Sequence, residues 1–365
     1  MPVVDAAALR ALMRDLLVAA GCSEAAGIQT AEALLEADLR GYAFEGCRHL
    51  PALVRDLRAG RVNARARPRI VEERPASALV DGDGGPAPVG GSFAVDVAVR
   101  KAGQAGCCAV GLVNTDPLYM LGYFGERLAR AGLVGIIGSA GRPRVHPPGG
   151  VDPILGTNPL TIAIPSAGDA PLIVDFATSR LAFGFVLEAE RRGQRLPEGV
   201  AIGPDGHPTC DPVVAIAGAL TAFGGYKGFG LALCVGLLAG PLVGGAVGQT
   251  MTAAPRPGRR TNRGALLIAV DPASFGDPRE FADAVAAHLR EVKQSRRAPG
   301  VEAIRLPGER SRAERTRRLR AGVPIEASVL DELEALAQDL GIGAPRLPRR
   351  VQADTVSARG SDTPA

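Results

Sequence analysis

A chain of 365 residues is long enough for two to three domains with a sizeable buried core. Its 46% hydrophobic and 22% charged residues are ordinary for a soluble globular protein. A net charge of only +4 and an aromatic content of 4%, with no Trp, disfavour nucleic acid as a partner. The function therefore has to be sought in local motifs.

The six cysteines form no CxxC pair, and with four histidines they show no zinc-ligand spacing. We expect reduced thiols, a cytoplasmic location and no metal site. The N-terminus is typical of an amphipathic helix and not of a signal peptide, since Asp5 and Arg10 interrupt its apolar residues. The uncharged stretch 228–251 is long enough to cross a membrane, but Gly240 and Pro241 should interrupt a helix there. We expect a buried core helix, then a glycine-rich loop, and no membrane partner.

The predicted elements begin with helices. Asp5 can cap a first helix that Gly21 ends, and Ser23 can cap a second that runs to Leu39. Residues 47–63 predict a third helix. From about residue 70, short aliphatic runs alternate with helical stretches, which indicates an α/β domain. The predicted strands cover 78–80, 108–113, 133–137, 160–164, 172–174 and 265–270, and the predicted helices cover 92–104, 118–131 and 278–294.

From about residue 300 the chain turns helical again. Ser311 can cap an arginine-rich helix that stops at Gly322, and 327–340 predict a further amphipathic helix. Residues 345–365 lack apolar periodicity and predict a disordered tail. The simplest organisation inserts an α/β domain into a helical domain formed by both chain ends. The helical domain covers 1–72 and 300–344, and the α/β domain covers 73–299.

The most informative local motif is the glycine cluster 224–230 around Lys227. Glycines let a backbone approach a ligand closely and leave amide groups free for phosphate, and a lysine adds a compact positive charge. The chain has three lysines among its 42 basic residues, so a lysine here favours a ligand role. The alternative is a glycine-rich turn with an incidental surface lysine. The cluster is not a Walker loop, because GxxxxGK[ST] is absent.

Other clusters leave two interpretations open. Asp175, Thr178 and Ser179 follow a predicted strand, where they could contact a ligand or cap the next helix. Arg310 begins a run of six arginines in eleven residues, which could face anionic groups but more often forms a solvated helix face. The turn 156–159 indicates a structured loop. No GxGxxG follows a strand, so the Rossmann fingerprint is missing.

Taken in order, these motifs resemble those of the malate/L-lactate dehydrogenase family over roughly 5–342. Each motif is weak alone, whereas the ordered set is specific. The resemblance rests on Gly46, Leu50-Pro51, Pro148-Gly149-Gly150, GTNP at 156–159, DFATS at 175–179, Asp205-Gly206, Pro208-Thr209, Asp211-Pro212, GGYKGFG at 224–230 and PGER at 307–310.

This resemblance implies a non-Rossmann α/β domain that binds NAD or NADP, inserted into a helical domain, in a homodimer that acts on a small molecule. The family includes ureidoglycolate, sulfolactate, diketogulonate and cyclic imino-acid oxidoreductases. By matched position, the residues expected to contact the cofactor are Asp175, Phe176, Ala177, Thr178, Ser179, Lys227, Gly308, Glu309 and Arg310.

The departures from the family pattern lie on the substrate side. Where the family has Asp-Ser-His-Gly and then an arginine, this chain has Ala43, Phe44, Glu45 and Gly46, with His49 at the arginine position and Arg48 beside it. A second family histidine is replaced by Pro117, a family asparagine by Ala140 and a family lysine by Phe185.

These departures leave the proton donor open. Glu45 could serve if burial raised its pKa from about 4.3 toward neutrality, and His49 or His146 are alternatives. Arg48 or His49 would orient the substrate. The leading hypothesis is a divergent NAD(P)-dependent oxidoreductase with Glu45 as the replacement acid/base. The alternatives are a non-redox enzyme that runs proton-transfer chemistry on the same scaffold, and a non-catalytic family member.

Overall fold

A computed structural model describes residues 1–168 and 170–343, position 347, and the backbone of 350–351. Its strands are β1 Pro2–Val4, β2 Arg69–Arg74, β3 Ser77–Gly85, β4 Cys107–Thr115, β5 Val134–Ser139, β6 Leu160–Ile164, β7 Leu172–Phe176, β8 Ala201–Ile202, β9 Ala219–Leu220, β10 Gly264–Val270, β11 Val323–Pro324 and β12 Arg350–Val351. Its α-helices are α1 Ala6–Ala19, α2 Glu24–Leu39, α3 Leu50–Arg58, α4 Ala87–Ala105, α5 Leu121–Arg130, α6 Phe183–Arg191, α7 Pro212–Ala217, α8 Tyr226–Ala239, α9 Pro278–Gln294, α10 Glu309–Ala321 and α11 Ala327–Asp339.

A seven-stranded sheet forms the centre of the molecule, in the order β2-β3-β4-β10-β5-β6-β7. β3 and β4 are parallel and are connected through α4, whereas the other neighbours are antiparallel. Leu112 and Ala265 pack with α4 and α5 on one face, and Val113 and Leu266 point to the other. This mostly antiparallel sheet differs from the parallel sheet of a Rossmann domain, and the predicted α/β fold class is confirmed.

The helices at the two chain ends share one core. Side chains of α1, α2 and α3 are buried together with Leu330 and Leu333 of α11. β1 lies between β11 and β12 and pairs antiparallel with both, so the N-terminal strand is held by two C-terminal ones. This arrangement supports a helical unit built from both chain ends. The boundaries 1–72, 300–344 and 73–299 stay a prediction.

Of the predictions made for the chain ends, the two helix caps are confirmed and the disordered tail is not. The caps are confirmed at Asp5 and Ser23, whose side chains accept the backbone N–H groups of Ala8 and Ala26. Most of 345–365 lies outside the described residues. The expectation of disorder is wrong at its few described positions, because Leu347 is buried in the helical core and β12 pairs with β1.

The predicted cap of the arginine-rich helix is wrong. α10 begins at Glu309, because Gly308 adopts a left-handed backbone with φ of 83° that reverses the chain just before the helix. Ser311 lies inside the first turn, where its hydroxyl donates to the Gly308 carbonyl. The glycine therefore sets the start of the helix.

Within the described residues, one helix, α8 with the turn after it, is long and apolar enough over 226–243 to span a membrane, and 39% of that window is buried. The expectation of a buried core helix is wrong for one of its faces. Small residues such as Ala232 and Gly236 are buried on the face toward the sheet, whereas Leu237 and Leu238 are 46% and 45% exposed. Small residues allow close packing on one side, and the larger leucines therefore project on the other.

Candidate active site

A cleft of about 1560 Å³ brings together the turn after α2, the end of β7, the start of α6 and α10. A cavity of about 400 Å³ adjoins it at the start of α10, and the two share Arg40, Asp175 and Arg310 in their walls. Of the residues predicted from the sequence, those that line one or both spaces are Glu45, Asp175, Phe176, Ala177, Ser179, Gly308, Glu309 and Arg310.

The turn that carries Glu45 is held from below by Asp38, a residue that sequence reasoning missed. Asp38 is 1% exposed, and its carboxylate accepts the Cys47 backbone N–H at 2.7 Å. Gly46 packs so closely on this carboxylate that an added Cβ would overlap it. Burial raises the pKa of Asp38 to about 7. The signal in the sequence is a carboxylate beside Leu39 on the apolar part of the second helix.

Glu45 ends a short 3-10 turn, Ala43–Glu45, and its side chain stays 29% exposed toward the cleft. Burial raises the pKa of Glu45 from 4.5 to about 8, and the nearby Asp175 carboxylate raises it further. Below about pH 8 the carboxyl group therefore keeps its proton. A carboxyl group with such a pKa can donate a proton near neutral pH.

His49 lies behind Glu45, with its Nε2 3.8 Å from the Glu45 carboxylate. Its ring packs on Tyr119, with ring centroids 4.7 Å apart. Burial lowers the pKa of His49 below its usual range, partly offset by a hydrogen bond to the Phe44 carbonyl. His49 is therefore neutral near pH 7, and it is not among the residues that line the cleft.

Arg48 points away from the cleft, into a cluster of ion pairs. Its guanidinium lies 2.5 Å from the Glu188 carboxylate and 3.0 Å from that of Glu326, at the start of α11. Arg191 and Arg192 contact the same two carboxylates. The structure thus places Arg48 between α6 and α11, and Arg48 is not among the residues that line the cleft.

Pro117 lies in the loop after β4, and the residues of this loop that reach the cleft are Tyr119 and Met120. Tyr119 has a left-handed backbone, with φ of 54°, and its hydroxyl donates to the Asp116 carboxylate at 3.0 Å. Strained backbone is frequent at functional sites. Sequence reasoning missed Tyr119; its signal is an aromatic residue close to Pro117 in a chain poor in aromatics.

Phenylalanines from two elements meet at this end of the cleft. Phe44 packs against Gly184, where an added Cβ would lie 2.9 Å from the Phe44 Cβ. The rings of Phe44 and Phe185 meet edge to face, with centroids 6.3 Å apart. Phe183 also lines the space, and Arg144 stacks on its ring at 4.0 Å. We call the walls formed by Phe44, Phe183, Phe185, Tyr119 and Met120 the aromatic end.

The segment 175–179 is fixed by its own hydrogen bonds. The Asp175 carboxylate accepts the Gly122 N–H at 2.7 Å and the Thr161 hydroxyl at 2.6 Å, so it does not cap the helix that follows. Burial raises the pKa of Asp175. Thr178 is buried, and its hydroxyl donates to the carbonyls of the turn 157–158. Of this segment, Asp175, Phe176, Ala177 and Ser179 line the cleft.

The opposite end of the cleft is basic. Lys293 pairs with Glu309 at 2.5 Å, whereas Arg305 and Arg310 line the cleft without a carboxylate partner among the described residues. Lys227 is exposed in the first turn of α8, close in sequence to Gly224, which lines the cleft, but is not itself among its lining residues. We call the walls around α10 and the start of α8 the basic end.

Two other residues singled out from the sequence lie elsewhere. His146 hydrogen-bonds the Pro147 carbonyl at 3.0 Å and faces the Thr221 hydroxyl at 3.4 Å, outside the cleft. Ala140 is buried beneath the helix α8, next to Ala239. Neither residue joins the group around Glu45.

Comparison with known proteins places this fold among nicotinamide-dependent oxidoreductases outside the Rossmann class. The family model for malate/L-lactate dehydrogenase matches residues 4–334, and the chain belongs to that family. Members of the family are dehydrogenases and reductases that use NAD or NADP. The comparisons therefore confirm three predictions: the family, an oxidoreductase enzyme, and NAD or NADP as the cofactor.

Individual relatives show how far the likeness extends. The chain is 34% identical to L-sulfolactate dehydrogenase of Methanothermobacter thermautotrophicus over 91% of this chain and 95% of that one. It is 35% identical to Delta(1)-pyrroline-2-carboxylate reductase of Ancylobacter novellus over 90% and 96%. The solved sulfolactate dehydrogenase of Methanocaldococcus jannaschii matches with a TM-score of 0.86 and 33% identity, covering 93% of this chain and 98% of that one.

Proposed function

We propose that this chain is a divergent NAD(P)-dependent oxidoreductase that reduces a small carbonyl or imine, or oxidises the corresponding hydroxy or amino compound. Glu45 replaces the histidine acid/base of the family. The observation that carries the proposal is a carboxyl group in the cleft wall whose pKa, raised by burial to about 8, keeps a proton near neutral pH. Asp38 holds the turn that aims it.

The basic end has the composition that a dinucleotide requires. Arg305 and Arg310, which pair with no carboxylate in the described part of the chain, offer cations at the start of α10, and Lys227 adds a third at the start of α8. Helix starts also present free backbone N–H groups to phosphates. We assign the cofactor to Lys227, Gly308–Arg310 and the backbone of 175–179. When bound, a reduced nicotinamide supplies hydride chemistry.

Proton delivery falls to the chain's own side chains. Glu45 holds a proton on a carboxylate oxygen and presents it to the oxygen or nitrogen of the substrate. His49, neutral and 3.8 Å away, is the neighbouring titratable group through which Glu45 can regain a proton. Arg48 keeps α6 in place through Glu188 and Glu326 and takes no part in this transfer.

Fluorescence titration with NADH and NADPH tests the cofactor assignment. We expect at least one of them to bind in the micromolar range. The absence of binding of either nucleotide at millimolar concentration contradicts the proposal.

A second candidate is proton-transfer chemistry without hydride transfer, such as cyclisation, elimination or isomerisation. It is favoured by the same Glu45–His49 pair, which needs no nicotinamide to move a proton. Glu45→Gln separates the two candidates. Turnover that proceeds without nicotinamide and is abolished by this change supports the second, whereas turnover that tracks cofactor oxidation supports the first. A non-catalytic role requires that neither kind of turnover be found.

We further propose a cytoplasmic homodimer. The apolar face of α8 supports it, because Leu233, Leu237, Leu238 and Leu242 are all at least 39% exposed and form one patch for a second copy. The six free cysteines fit a reducing compartment. Light scattering should give twice the chain mass, 37.5 kDa, and Leu237→Glu with Leu238→Glu should give the monomer mass.

A further inference from the structure

The aromatic end of the cleft combines an exposed apolar side chain with the titratable carboxyl group of Glu45. Phe185 keeps 46% of its surface exposed at the edge of the cleft, although a large apolar side chain gains by burial. The Phe44 ring approaches it edge to face and rests on the backbone of Gly184. Two rings from separate elements thus form a preformed apolar wall beside Glu45.

The cations around this wall are already engaged. Arg40 lines the cleft but is paired with Glu36 at 2.7 Å and also with Glu126. Arg48 is held by Glu188 and Glu326. A substrate carboxylate beside Glu45 could therefore pair with Arg40 or Arg48 only by displacing an existing ion pair, which is unfavourable.

Two further cations complete the surroundings. Arg144 stacks on Phe183 but does not line the cleft. Arg180 lines the cleft, is exposed, and donates to the Gly199 carbonyl at 3.1 Å. Arg180 is thus a cleft-lining cation that an anionic substrate could pair with, and no ion pair is seen for it among the described residues.

Building on the proposed oxidoreductase function, we propose that the aromatic end selects a ketone or cyclic imine that carries an aryl or alkyl group in place of a carboxylate. The apolar group lies against Phe44 and Phe185, and the reacting C=O or C=N faces Glu45. In reduction the substrate carbon gains a C–H bond and two electrons as hydride from NADH or NADPH, which leaves as NAD⁺ or NADP⁺. The π-bond electrons move to the oxygen or nitrogen, which takes the Glu45 proton.

Ligand-observed saturation-transfer NMR tests this selection directly, with NADP⁺ present so that no turnover occurs. The probes are 2-phenyl-1-pyrroline, which is an aryl cyclic imine, and pyruvate and oxaloacetate, which are keto acids. We expect a dissociation constant for the aryl imine at least tenfold below those of the keto acids. Phe185→Ser, at an exposed position where folding is not at risk, should weaken imine binding at least tenfold, and Phe44→Ser should act in the same direction.

Phe275→Ser is the matched control, because Phe275 is 85% exposed and does not line the cleft. Its binding of the aryl imine should equal that of the wild type. Tighter binding of pyruvate or oxaloacetate than of the aryl imine, lost in Arg180→Ala, overturns the inference, and so does equal imine binding by wild type and Phe185→Ser.

Oxidation of NADPH at 340 nm with each probe separates this inference from the function on which it rests. Reduction of a keto acid without binding of the aryl imine leaves the oxidoreductase function intact and overturns the inference. Binding of the aryl imine that depends on Phe185, without oxidation of NADPH or NADH by any probe, supports the aromatic selection and contradicts the oxidoreductase function.

Discussion

The two ends of the cleft differ in the kind of groups that form their walls. The basic end uses helix starts, glycines and long cations, which recognise phosphate with little dependence on neighbouring side chains. The aromatic end uses side chains from a short turn and from α6, and each depends on contacts with the other, as Phe44 does on Gly184. We propose that the two ends nevertheless act independently, although they are joined where Arg318 of α10 donates to the Asp38 carbonyl beneath the Glu45 turn.

The largest expected effect separates chemistry from cofactor binding. Glu45→Gln removes the proton donor but keeps the shape of the side chain, so kcat should fall by about a hundredfold or more. Dissociation constants for NADH and NADPH should stay within about twofold. Steady-state kinetics and fluorescence titration measure both, with Glu280→Gln on α9 as the control. A large loss of cofactor affinity in Glu45→Gln would mean that the two ends are not independent.

Gly46→Ala tests whether the turn beneath Glu45 is fixed by packing. The added Cβ overlaps the Asp38 carboxylate, so we expect a loss of about 1–3 kcal/mol in unfolding free energy and a fall in kcat of roughly tenfold or more. Thermal unfolding and kinetics measure these. Gly103→Ala is the matched control, since nothing lies within 4 Å of its added Cβ in α4, and it should be neutral or slightly stabilising. Equal behaviour of the two variants would show that Asp38 does not constrain the turn.

Lys227→Met probes the basic end alone. Loss of one phosphate-facing cation should weaken NAD(P) binding about tenfold, which corresponds to roughly 1.4 kcal/mol, with kcat nearly unchanged at saturating cofactor. The KM for the cofactor reports the effect. Arg290→Met, an exposed position on α9, should leave it unchanged. An unchanged KM for the cofactor in Lys227→Met would show that Lys227 is an incidental surface lysine.

The pH profile tests the protonation state of Glu45. Its pKa is raised to about 8, so the proton-donating form dominates below that pH and is lost as pH rises through it. The rate of reduction should therefore fall about tenfold from pH 7 to pH 9, where about a tenth of the carboxyl stays protonated. Oxidation, which needs the carboxylate as base, should rise over the same range. A flat profile for both directions excludes Glu45 as the acid/base.

Arg48→Met is expected to have the smallest effect. It leaves Glu188 and Glu326 with Arg191 and Arg192 as remaining partners, so the unfolding free energy should fall by only about 1 kcal/mol. The KM for substrate should change by less than about threefold. Urea unfolding and kinetics measure the two quantities. A rise in substrate KM of a hundredfold with unchanged stability would restore Arg48 as the residue that orients the substrate.

The sequence predicted what depends on local patterns. The caps at Asp5 and Ser23 and the helix Pro278–Gln294 follow from residue order, and so does the ordered motif set that marks the family. The ion pair of Arg48 could not be predicted, because Glu326 lies 278 residues away. The hydrogen bonds of Asp175 to Gly122 and the raised pKa of Glu45 likewise depend on tertiary burial, which residue spacing does not report.

Calorimetric titration of NADPH and NADH into wild type, Glu45→Gln and Lys227→Met tests the central claim most directly. The claim is that the basic end binds the cofactor independently of Glu45, which acts on the substrate at the other end of the same cleft. We predict that wild type and Glu45→Gln bind the preferred nucleotide with equal affinity and that Lys227→Met binds it about tenfold more weakly. Binding of neither nucleotide to the wild type, or equal binding to all three proteins, would contradict the claim.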